Sequence, residues 1–498
     1  MHKTGSALNL SASDLSQFMA CQHATMLDLQ VANGEIKKPI PYPNATLNTL
    51  IQKGEDFEKA YVEELRRQGL NVAVIVRGNN KLALQRTHEA MKAGADVIYQ
   101  ARLEQDIWQG WSDFLFRCDK PSDLGSWSYE VEDTKFAKHT RAGAILQITL
   151  YSQMLTTVQG VQPEFMYIRT PEGRQTYRVD DYKSYTKLVQ KNLLASINQG
   201  PGFTYPEPVE HCEICKWWPV CNTQRRNDDH LTFIAGMGTS QIREVKKWGI
   251  ATLQNMATVP FPVPYRPTRG NIEKYNKLRE QARLQLESRL QKKYLYEMLS
   301  PDDEVGLSRL PEPDEGDVFF DFEGDPFVGS TGREYLFGWI HKNEYHALWA
   351  TTDDEELDAF KKFMHKMMQI RESNPGMHIY HFSQYEPAAL KRLMGKYGTL
   401  EDEVDTLLRN GVFVDLHMVT KHALRAGIES YSLKELEKLH NFHRMRELKM
   451  VAQYKALLET MLENGNIDAV DEETRSIVQD YNQDDCASTL SLRNWLEQ

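Results

Sequence analysis

Two groups of carboxylates lie in predicted strands of this sequence, and each could hold divalent metal ions. In the first group, Asp113 lies in GWSDFLFRC, and Asp133 and Lys135 lie in SYEVEDTKFAK, two predicted strands joined by a turn-rich connection typical of a hairpin. Residues two apart in a strand share a face, so Asp133 and Lys135 emerge together. Carboxylates that hold Mg²⁺ or Mn²⁺, beside a lysine that stabilises charge on phosphate, suit metal-assisted hydrolysis. An exposed strand face with an ordinary salt bridge is the alternative for these residues alone.

The predicted helices on either side of these strands add polar residues in a fixed order. Glu58 follows Gly54 in KGEDFEKAYVEELRRQG, and Gln147 and Tyr151 share one helix face in AGAILQITLYSQML. The ordered set G-x-x-F-E, G-x-x-D, D-x-K and Q-x-x-x-Y resembles the RecB-type PD-(D/E)xK nucleases. The resemblance implies a restriction-endonuclease-like fold with these roles: metal ligands Asp113, Asp133 and Glu58 (where many relatives have histidine), catalytic lysine Lys135, and substrate-contacting Gln147 and Tyr151.

Three of the six cysteines crowd into HCEICKWWPVC, at Cys212, Cys215 and Cys221. Six cysteines in so long a chain do not make a disulfide scaffold, so clustered ones are better interpreted as metal ligands. In the iron–sulfur branch of RecB-like nucleases, which includes AddB-type repair nucleases and CRISPR-associated exonucleases, a C-x2-C-x5-C run joins one cysteine near the start of the domain. That resemblance implies Cys21 as the fourth ligand of a 4Fe–4S cluster. Four cysteines close a zinc site equally well, and the spacing leaves both possibilities open.

The second group of carboxylates lies in the last third of the chain. VFFDFEGDPF places Asp321 and Glu323 on one face of an apolar strand, where two acids are costly unless they bind something. Glu386 lies where the strand in MHIYHFSQYE leads into a helix, and Tyr481 and Asp485 are spaced i, i+4 in the helix DYNQDDCASTLSLRNWL. Acids from strands and a helix can chelate two divalent ions that activate water, and the tyrosine hydroxyl can position that water.

This second pattern resembles the DEDDy exonucleases of the RNase H-like superfamily, most closely the YprB-type domain. The resemblance implies an RNase H-like α/β domain that binds Mg²⁺ or Mn²⁺ through Asp321, Glu323, Glu386 and Asp485, with Tyr481 beside them. Glu386 stands where an aspartate is usual. For Asp415, at the end of the predicted strand GVFVD, a structural role is favoured over a ligand role.

Residues 226–260 resemble a helix–hairpin–helix element, with short helices predicted on both sides of a glycine turn. Its candidate nucleic-acid contacts are Gly236, Gly238, Lys246 and Lys247, because backbone N–H groups at a helix N-terminus bind phosphate without reading sequence. A helical hairpin that only packs is the alternative. Residues 261–312 hold a proline-rich linker and a charged helix predicted over roughly 271–299.

Length and composition place these motifs in a multidomain α/β protein expected in the cytoplasm. The 498 residues are too many for one core, and no apolar run is long enough for a membrane helix. The predicted domains are a RecB-like nuclease at 1–225, the hairpin element, the linker with its helix, and an RNase H-like exonuclease at 313–498. The net charge of −11 argues against a nucleic-acid coating protein and does not exclude a metal-dependent enzyme.

The expected function is therefore a metal-dependent nuclease acting on single-stranded DNA or DNA ends, in repair, processing or defence. No nucleotide-binding motif of a helicase is found, so the chain is expected either to be a short member of its group or to work with a motor in trans. Three alternatives stay open: activity in one domain only, action of the RNase H-like domain on RNA, and a non-catalytic nucleic-acid-binding adaptor. Five further acids are expected to be solvent-exposed: Asp119, Glu130, Glu132, Asp325 and Asp484. Cys118 and Cys486 are expected to be packed thiols.

Overall fold

The computed structural model of the chain describes residues 1–5, 7–39, 45–136, 140–329, 331–463 and 470–498. These residues form two compact units, Met1–Arg225 (the N-terminal unit) and Arg226–Gln498 (the C-terminal unit). Within the described ranges, no helix combines the length and the apolar character needed to cross a bilayer.

The N-terminal unit is a six-stranded sheet with helices packed on both faces. Its strands and helices are β1 (His2–Thr4), β2 (Ala7–Asn9), α1 (Ala12–Ala20), α2 (Gln22–Ala32), α3 (Ala45–Arg67), β3 (Val72–Val74), α4 (Asn80–Lys92), β4 (Val97–Gln105), β5 (Trp108–Cys118), β6 (Ser128–Thr134), α5 (Ala142–Gln159), β7 (Phe165–Thr170), β8 (Gly173–Arg178), α6 (Val179–Gln199) and α7 (Trp218–Asn227). The sheet order is β3-β4-β5-β6-β7-β8.

Side chains of the central strands point alternately to the two faces of the sheet, so each face packs against its own layer of helices. Leu115 and Val131 pack into the large core with α1 and α5, whereas Phe114 packs with Tyr61 and other residues of α3. The predicted hairpin is confirmed, since β5 and β6 pair antiparallel with Leu115 opposite Val131. With Asp113 and Asp133 each two residues from these core positions, the alternation aims both toward the α5 face.

The C-terminal unit contains a five-stranded mixed sheet. Its strands and helices are α8 (Thr239–Lys247), α9 (Leu253–Ala257), α10 (Ile272–Gln291), β9 (Tyr296–Met298), β10 (Val318–Asp325), β11 (Arg333–His341), β12 (Glu344–Trp349), α11 (Asp353–Ser373), β13 (Ile379–His381), α12 (Tyr385–Tyr397), α13 (Glu401–Arg409), β14 (Phe413–Asp415), α14 (Leu416–Ala423), β15 (Leu424–Ala426), α15 (Leu433–His440), α16 (Leu448–Glu463) and α17 (Glu472–Glu497). The order is β12-β11-β10-β13-β14, with β10 antiparallel to β11 and parallel to β13.

The central strand β10 explains where the acids of the second group point. Phe320 and Phe322 face α11 and bury against Phe363, while Phe319 faces a core that includes Cys486 of α17. Asp321 and Glu323 alternate with the phenylalanines of the α11 face and therefore lie on the α17 side of the sheet.

Two predictions for the middle of the chain are wrong. The segment before the Gly236–Gly238 turn forms only a 3₁₀ turn at Leu231–Phe233, so the glycines precede the helix pair α8 and α9 and do not join its two helices. The charged helix ends at Gln291, because Lys292 adopts a left-handed conformation with φ 53°. The following residues Tyr296–Met298 pair as a strand with Leu424–Ala426.

Four acids predicted to be exposed are buried, namely Glu130, Glu132, Asp325 and Asp484. Each has at least one polar partner in the fold: for example, Glu130 accepts from Phe165 N at 2.9 Å and Tyr167 Oη at 2.7 Å. Apart from Phe327, which donates to Asp325, these partners lie far away along the chain, and local sequence does not reveal them. Asp119 is exposed and Cys486 is buried, both as predicted, whereas Cys118 is half-buried beside Ser128.

Candidate active sites

The first acidic site lies in the N-terminal unit, where β6 meets α5. Asp133 is fully buried, forms an ion pair with Lys135, and accepts a hydrogen bond from Gln147 Nε2 at 3.3 Å. Burial raises the pKa of Asp133 well above its ordinary value, the neighbouring Asp113 charge raises it further, and Lys135 opposes both. Burial lowers the pKa of Lys135, but the carboxylates around it outweigh burial, so its pKa is raised and it stays charged.

Asp113 and Glu58 complete this cluster from other elements. Asp113 Oδ2 accepts from Thr134 N at 2.9 Å and Thr134 Oγ1 at 3.0 Å, which fixes the carboxylate at the end of β6. Glu58 of α3 accepts a hydrogen bond from Gln100, and its pKa is raised by burial and by the charge of Asp113. The structure therefore brings the predicted acids and Lys135 into one electrostatic environment, and a divalent cation would relieve the repulsion between the carboxylates.

Tyr151 explains the glycine of the G-x-x-D motif. A Cβ at Gly110 would lie 2.9 Å from the Tyr151 hydroxyl oxygen and 3.0 Å from its Cζ. The tyrosine ring therefore lies directly on the backbone of β5, one turn along α5 from Gln147. The two motifs are steric partners, which their separation in sequence does not reveal.

The four predicted cysteine ligands line one cavity of the N-terminal unit. Cys21 lies between α1 and α2, Cys212 and Cys215 lie at a 3₁₀ turn, and Cys221 is in α7. Burial raises the pKa of Cys215, and it raises that of Cys221 to about 12, with the neighbouring thiolates adding to both effects. Thiolates crowded in this way need a positively charged metal group to be stable, so the donor set fits either a cluster or zinc.

The second acidic site contains three carboxylates from β10 and α17, Asp321, Glu323 and Asp485 (the acid triad). One ligand oxygen from each lies within 4.8 Å of the other two. Burial raises the pKa of Asp321 well above its ordinary value, and the charges of Glu323, Asp485 and Glu386 raise it further. Several carboxylates forced together in a core are the arrangement that a divalent cation neutralises.

Glu386, in the first turn of α12, is buried beside this triad and shares a hydrogen bond with Asp321. Burial raises the pKa of Glu386 to about 8, against the bonds from its own backbone and Asp321, and the charges of Asp415 and Asp485 add to the rise. Its Oε2 atom lies 3.8 Å from His381 Nδ1 and has no hydrogen-bond partner among the described residues. A buried oxygen without a partner fits a metal ligand.

Three cationic side chains, which sequence reasoning missed, face the acid triad. Lys455 Nζ of α16 lies 2.5 Å from Glu323 Oε2. Arg444 Nη2 lies 2.5 Å from Asp485 Oδ1, and Lys434 Nζ of α15 lies 3.8 Å from Asp485 Oδ2. No local pattern distinguishes Lys434 or Arg444 from surface cations, and the apolar spacing around Lys455 in α16 does not reveal which acids it meets.

α17 positions three polar residues of this site within five positions. Tyr481 Oη accepts a hydrogen bond from Lys434 Nζ at 2.6 Å. Asn482, also missed, donates to Asp321 Oδ2 and to the Asp321 carbonyl oxygen, both at 2.9 Å. A Cβ at Gly338 of β11 would overlap the Asn482 side chain, so this glycine allows α17 to approach the sheet.

Asp415 has a different set of partners from the triad. It caps α14, accepting from His417 N at 2.9 Å, and accepts from Ser383 N at 3.0 Å. These contacts hold the turn that leads to Glu386, which is a structural role.

The candidate contacts of the middle segment all lie around α8: Gly236, Gly238, Lys246 and Lys247. The polar groups of Gly238, Lys246 and Lys247 already have partners within the chain. The Gly238 N–H donates to Gln241 Oε1 at 3.1 Å. Lys247 Nζ donates to Glu244 Oε2 at 2.8 Å, and Lys246 Nζ lies 3.3 Å from His230 Nε2. A phosphate contact by these groups would require exchange of those bonds.

Comparison with known families agrees with the geometry of the second site. Residues 318–497 match a family model described as the RNase_H superfamily. A search of curated proteins gives no match for the chain. The match spans β10 through α17, the elements that carry the acid triad, Glu386 and Tyr481. The C-terminal part of this chain is therefore an RNase H-like domain.

Proposed function

We propose that the protein is a metal-dependent nuclease that hydrolyses phosphodiester bonds of DNA, acting from ends on single strands, in DNA repair, processing or defence. The observation that carries this proposal is the convergence of Asp321, Glu323 and Asp485 beside Tyr481 in an RNase H-like domain. Three adjoining carboxylates repel one another at so small a separation, and a divalent cation relieves that repulsion.

In this mechanism, the acid triad would hold Mg²⁺ or Mn²⁺, which would supply Lewis-acid stabilisation of the phosphate and activate the attacking water. Tyr481 lies one helical turn from Asp485, and its hydroxyl, fixed by Lys434, positions the attacking water. Glu386 is the fourth carboxylate and lies against Asp321. Hydrolysis adds one water across the P–O bond and leaves a phosphomonoester and a sugar hydroxyl.

The N-terminal unit is proposed as a second nuclease site of the RecB-like PD-(D/E)xK type. Asp113, Asp133 and Glu58 would hold the metal, and Lys135 would stabilise charge on the phosphate. Gln147 and Tyr151 would contact the substrate. The ion pair of Lys135 with a fully buried Asp133 supports this assignment, since an isolated pair in that position would gain little stability.

The cysteines are proposed to bind a 4Fe–4S cluster, with zinc as the alternative, that ties the ends of the N-terminal unit together. The 226–260 segment is proposed to contact DNA without reading its sequence, and a helicase would act in trans. RNA is an alternative substrate for the RNase H-like domain, since carboxylate-bound metals act on both backbones.

The decisive test is degradation of end-labelled single-stranded DNA with Mg²⁺ or Mn²⁺. We expect Asp321→Ala and Lys135→Ala each to lower the rate by about 100-fold at its own site, and the double variant to abolish activity. Asp303→Ala and Lys187→Ala, both exposed, are the matched controls. An effect of only one variant would assign the activity to one domain. Wild-type protein without activity on single- or double-stranded DNA or RNA would refute a nuclease and favour the adaptor.

A further inference from the structure

We propose that Lys455 is a catalytic residue of the C-terminal site, which takes the place of a second divalent ion so that the site works with one ion. This inference rests on the proposed nuclease function. It names a group that the four-carboxylate pattern does not contain.

The position of Lys455 in its helix is the first observation. Val451, Leu458 and Leu462 of α16 are all buried, and Lys455 lies at i+4 from the first and i−3 and i−7 from the others. This spacing is the apolar stripe of an amphipathic helix, which calls for an apolar residue at position 455. A lysine in the stripe carries a desolvation cost that a leucine would not.

The second observation is the position of the Lys455 ammonium group relative to the acids. Leu458 and Leu462 pack against Tyr335 and Leu336 of β11, which fixes α16 beside the central strand. From that base Lys455 Nζ reaches Glu323 Oε2 at 2.5 Å, whereas its other carboxylate neighbour, Glu459, lies 3.9 Å away. The lysine is therefore paired with the carboxylate cluster, although 31% of its side chain stays exposed.

The third observation concerns the ligands left for metal. A two-ion site needs carboxylates that bridge both ions, and four are present. Glu323 and Asp485 are each paired with a cationic side chain, whereas the Asp321 carboxylate accepts a hydrogen bond from Asn482 and lies against Glu386. One ion on the Asp321 side and an ammonium group on the Glu323 side fit the surroundings of these two acids, while Arg444 is the counter-ion of Asp485.

An ammonium group at this position can stabilise the negative charge on the phosphate that a second divalent ion would otherwise stabilise. During hydrolysis the water oxygen bonds to phosphorus, the bond from phosphorus to the leaving sugar oxygen breaks, and one water proton is released as the leaving oxygen gains a proton. Lys455 keeps its protons. It donates hydrogen bonds to the non-bridging phosphate oxygen on which negative charge accumulates.

Counting Mn²⁺ on the full-length, metal-free protein by electron paramagnetic resonance tests this assignment. The count for the C-terminal site is the number of equivalents that Asp321→Ala removes, so other sites cancel. We expect one equivalent in wild type and two in the Lys455→Met protein, since methionine suits the apolar stripe and frees Glu323. The Lys455→Met rate should fall by about 100-fold at low Mn²⁺ and become second order in Mn²⁺. Lys449→Met, on the exposed side of the same helix, is the control.

Each other outcome contradicts a different statement. Two equivalents in wild type would show that Lys455 yields its place to metal, which overturns the inference and leaves the nuclease proposal standing. One equivalent and an undiminished rate in Lys455→Met would reduce the lysine to a counter-ion of Glu323. No equivalent removed by Asp321→Ala would contradict the metal site itself, and the inference with it.

Discussion

At the scale of single residues, steric fit decides which motif positions tolerate change. Gly54 and Gly110 both belong to the pattern that resembles RecB-type nucleases, but their surroundings differ. Among the residues that the structure describes, a Cβ at Gly54 would meet no atom within 4 Å, whereas a Cβ at Gly110 would meet the ring of Tyr151. The sequence motif gives no reason to treat the two glycines differently, and only their packing shows that one tolerates a side chain and the other does not.

We therefore expect Gly110→Ala to displace Tyr151 and to destabilise the N-terminal unit by about 1–3 kcal/mol, the usual cost of overpacking. The contribution of the N-terminal unit to Mg²⁺-dependent degradation should fall as well, because Tyr151 and Gln147, the proposed substrate contacts, both lie on α5. Gly54→Ala, inside α3, should stabilise the unit by about 0.5–1 kcal/mol, since alanine favours helix. Thermal denaturation of the two variants checks both values, and equal midpoints would show that Tyr151 does not rest on Gly110.

At the scale of elements, local periodicity made one half of the C-terminal site predictable. Asp321 and Glu323 are two apart in a strand, and Tyr481 and Asp485 are four apart in a helix, so each pair must share a face wherever the element lies. The other half comes from α15, α16 and the connection between them. Lys455 occupies an apolar position of an amphipathic helix, and nothing local says which acids it will meet.

The same limit explains the wrong expectations for Glu132 and Asp484. Each is polar in a segment with other polar residues, so local pattern predicts exposure. Their burial depends on distant partners: Arg174, on another strand, pairs with Glu132, and Met445 N donates to Asp484 Oδ2 at 2.9 Å. Tertiary pairing of this kind leaves no periodic trace in sequence.

The contact between α15 and α17 predicts a dependence on pH. His440, the last residue of α15, donates or accepts at Ser491 Oγ of α17 at 2.9 Å, and burial lowers its pKa to about 4. A histidine that must be neutral when folded takes up a proton more readily when unfolded. Its stabilising contribution is complete above its ordinary pKa of 6.5 and is lost as pH falls from there toward 4.

We expect the C-terminal unit to lose about 1–2 kcal/mol of stability through this residue between pH 7 and pH 5. His440→Gln should flatten that part of the profile in urea unfolding monitored at several pH values. His443→Gln, three residues on and exposed, is the control. A profile that keeps its slope in His440→Gln would place the acid sensitivity in other groups.

At the scale of the whole molecule, the two units each contain a buried acid cluster with its own lysine. In the N-terminal unit Lys135 and its acid partner come from one strand end, so sequence could pair them. In the C-terminal unit Lys455 and Glu323 come from elements more than a hundred residues apart, and only the fold pairs them. A lysine–carboxylate pair thus forms between sequence neighbours in one unit and between residues that only the tertiary fold brings together in the other.

The cysteine cavity makes the last prediction, because it joins the two ends of the N-terminal unit. Cys21 comes from its start and the other three from its end, so a metal group there closes a loop of nearly the whole unit, where a crosslink restricts the unfolded chain most. We expect brown protein that absorbs near ~400 nm and contains about four irons per chain. The Cys21→Ser protein should be colourless. The free energy of unfolding of its N-terminal unit should fall by about 3 kcal/mol, which corresponds to a melting temperature lower by about 6–12 °C.

Iron analysis, absorption and calorimetry on the same samples separate the possibilities. Cys118→Ser, a half-buried cysteine outside the cavity, is the matched control and should keep both colour and stability. Colourless protein with one zinc per chain would replace the cluster by zinc and preserve the crosslink, because Cys21→Ser would still lower the melting temperature. Cys21→Ser protein with an unchanged metal content and melting curve would refute both, since a fourth ligand from the start of the unit is what makes the site a crosslink.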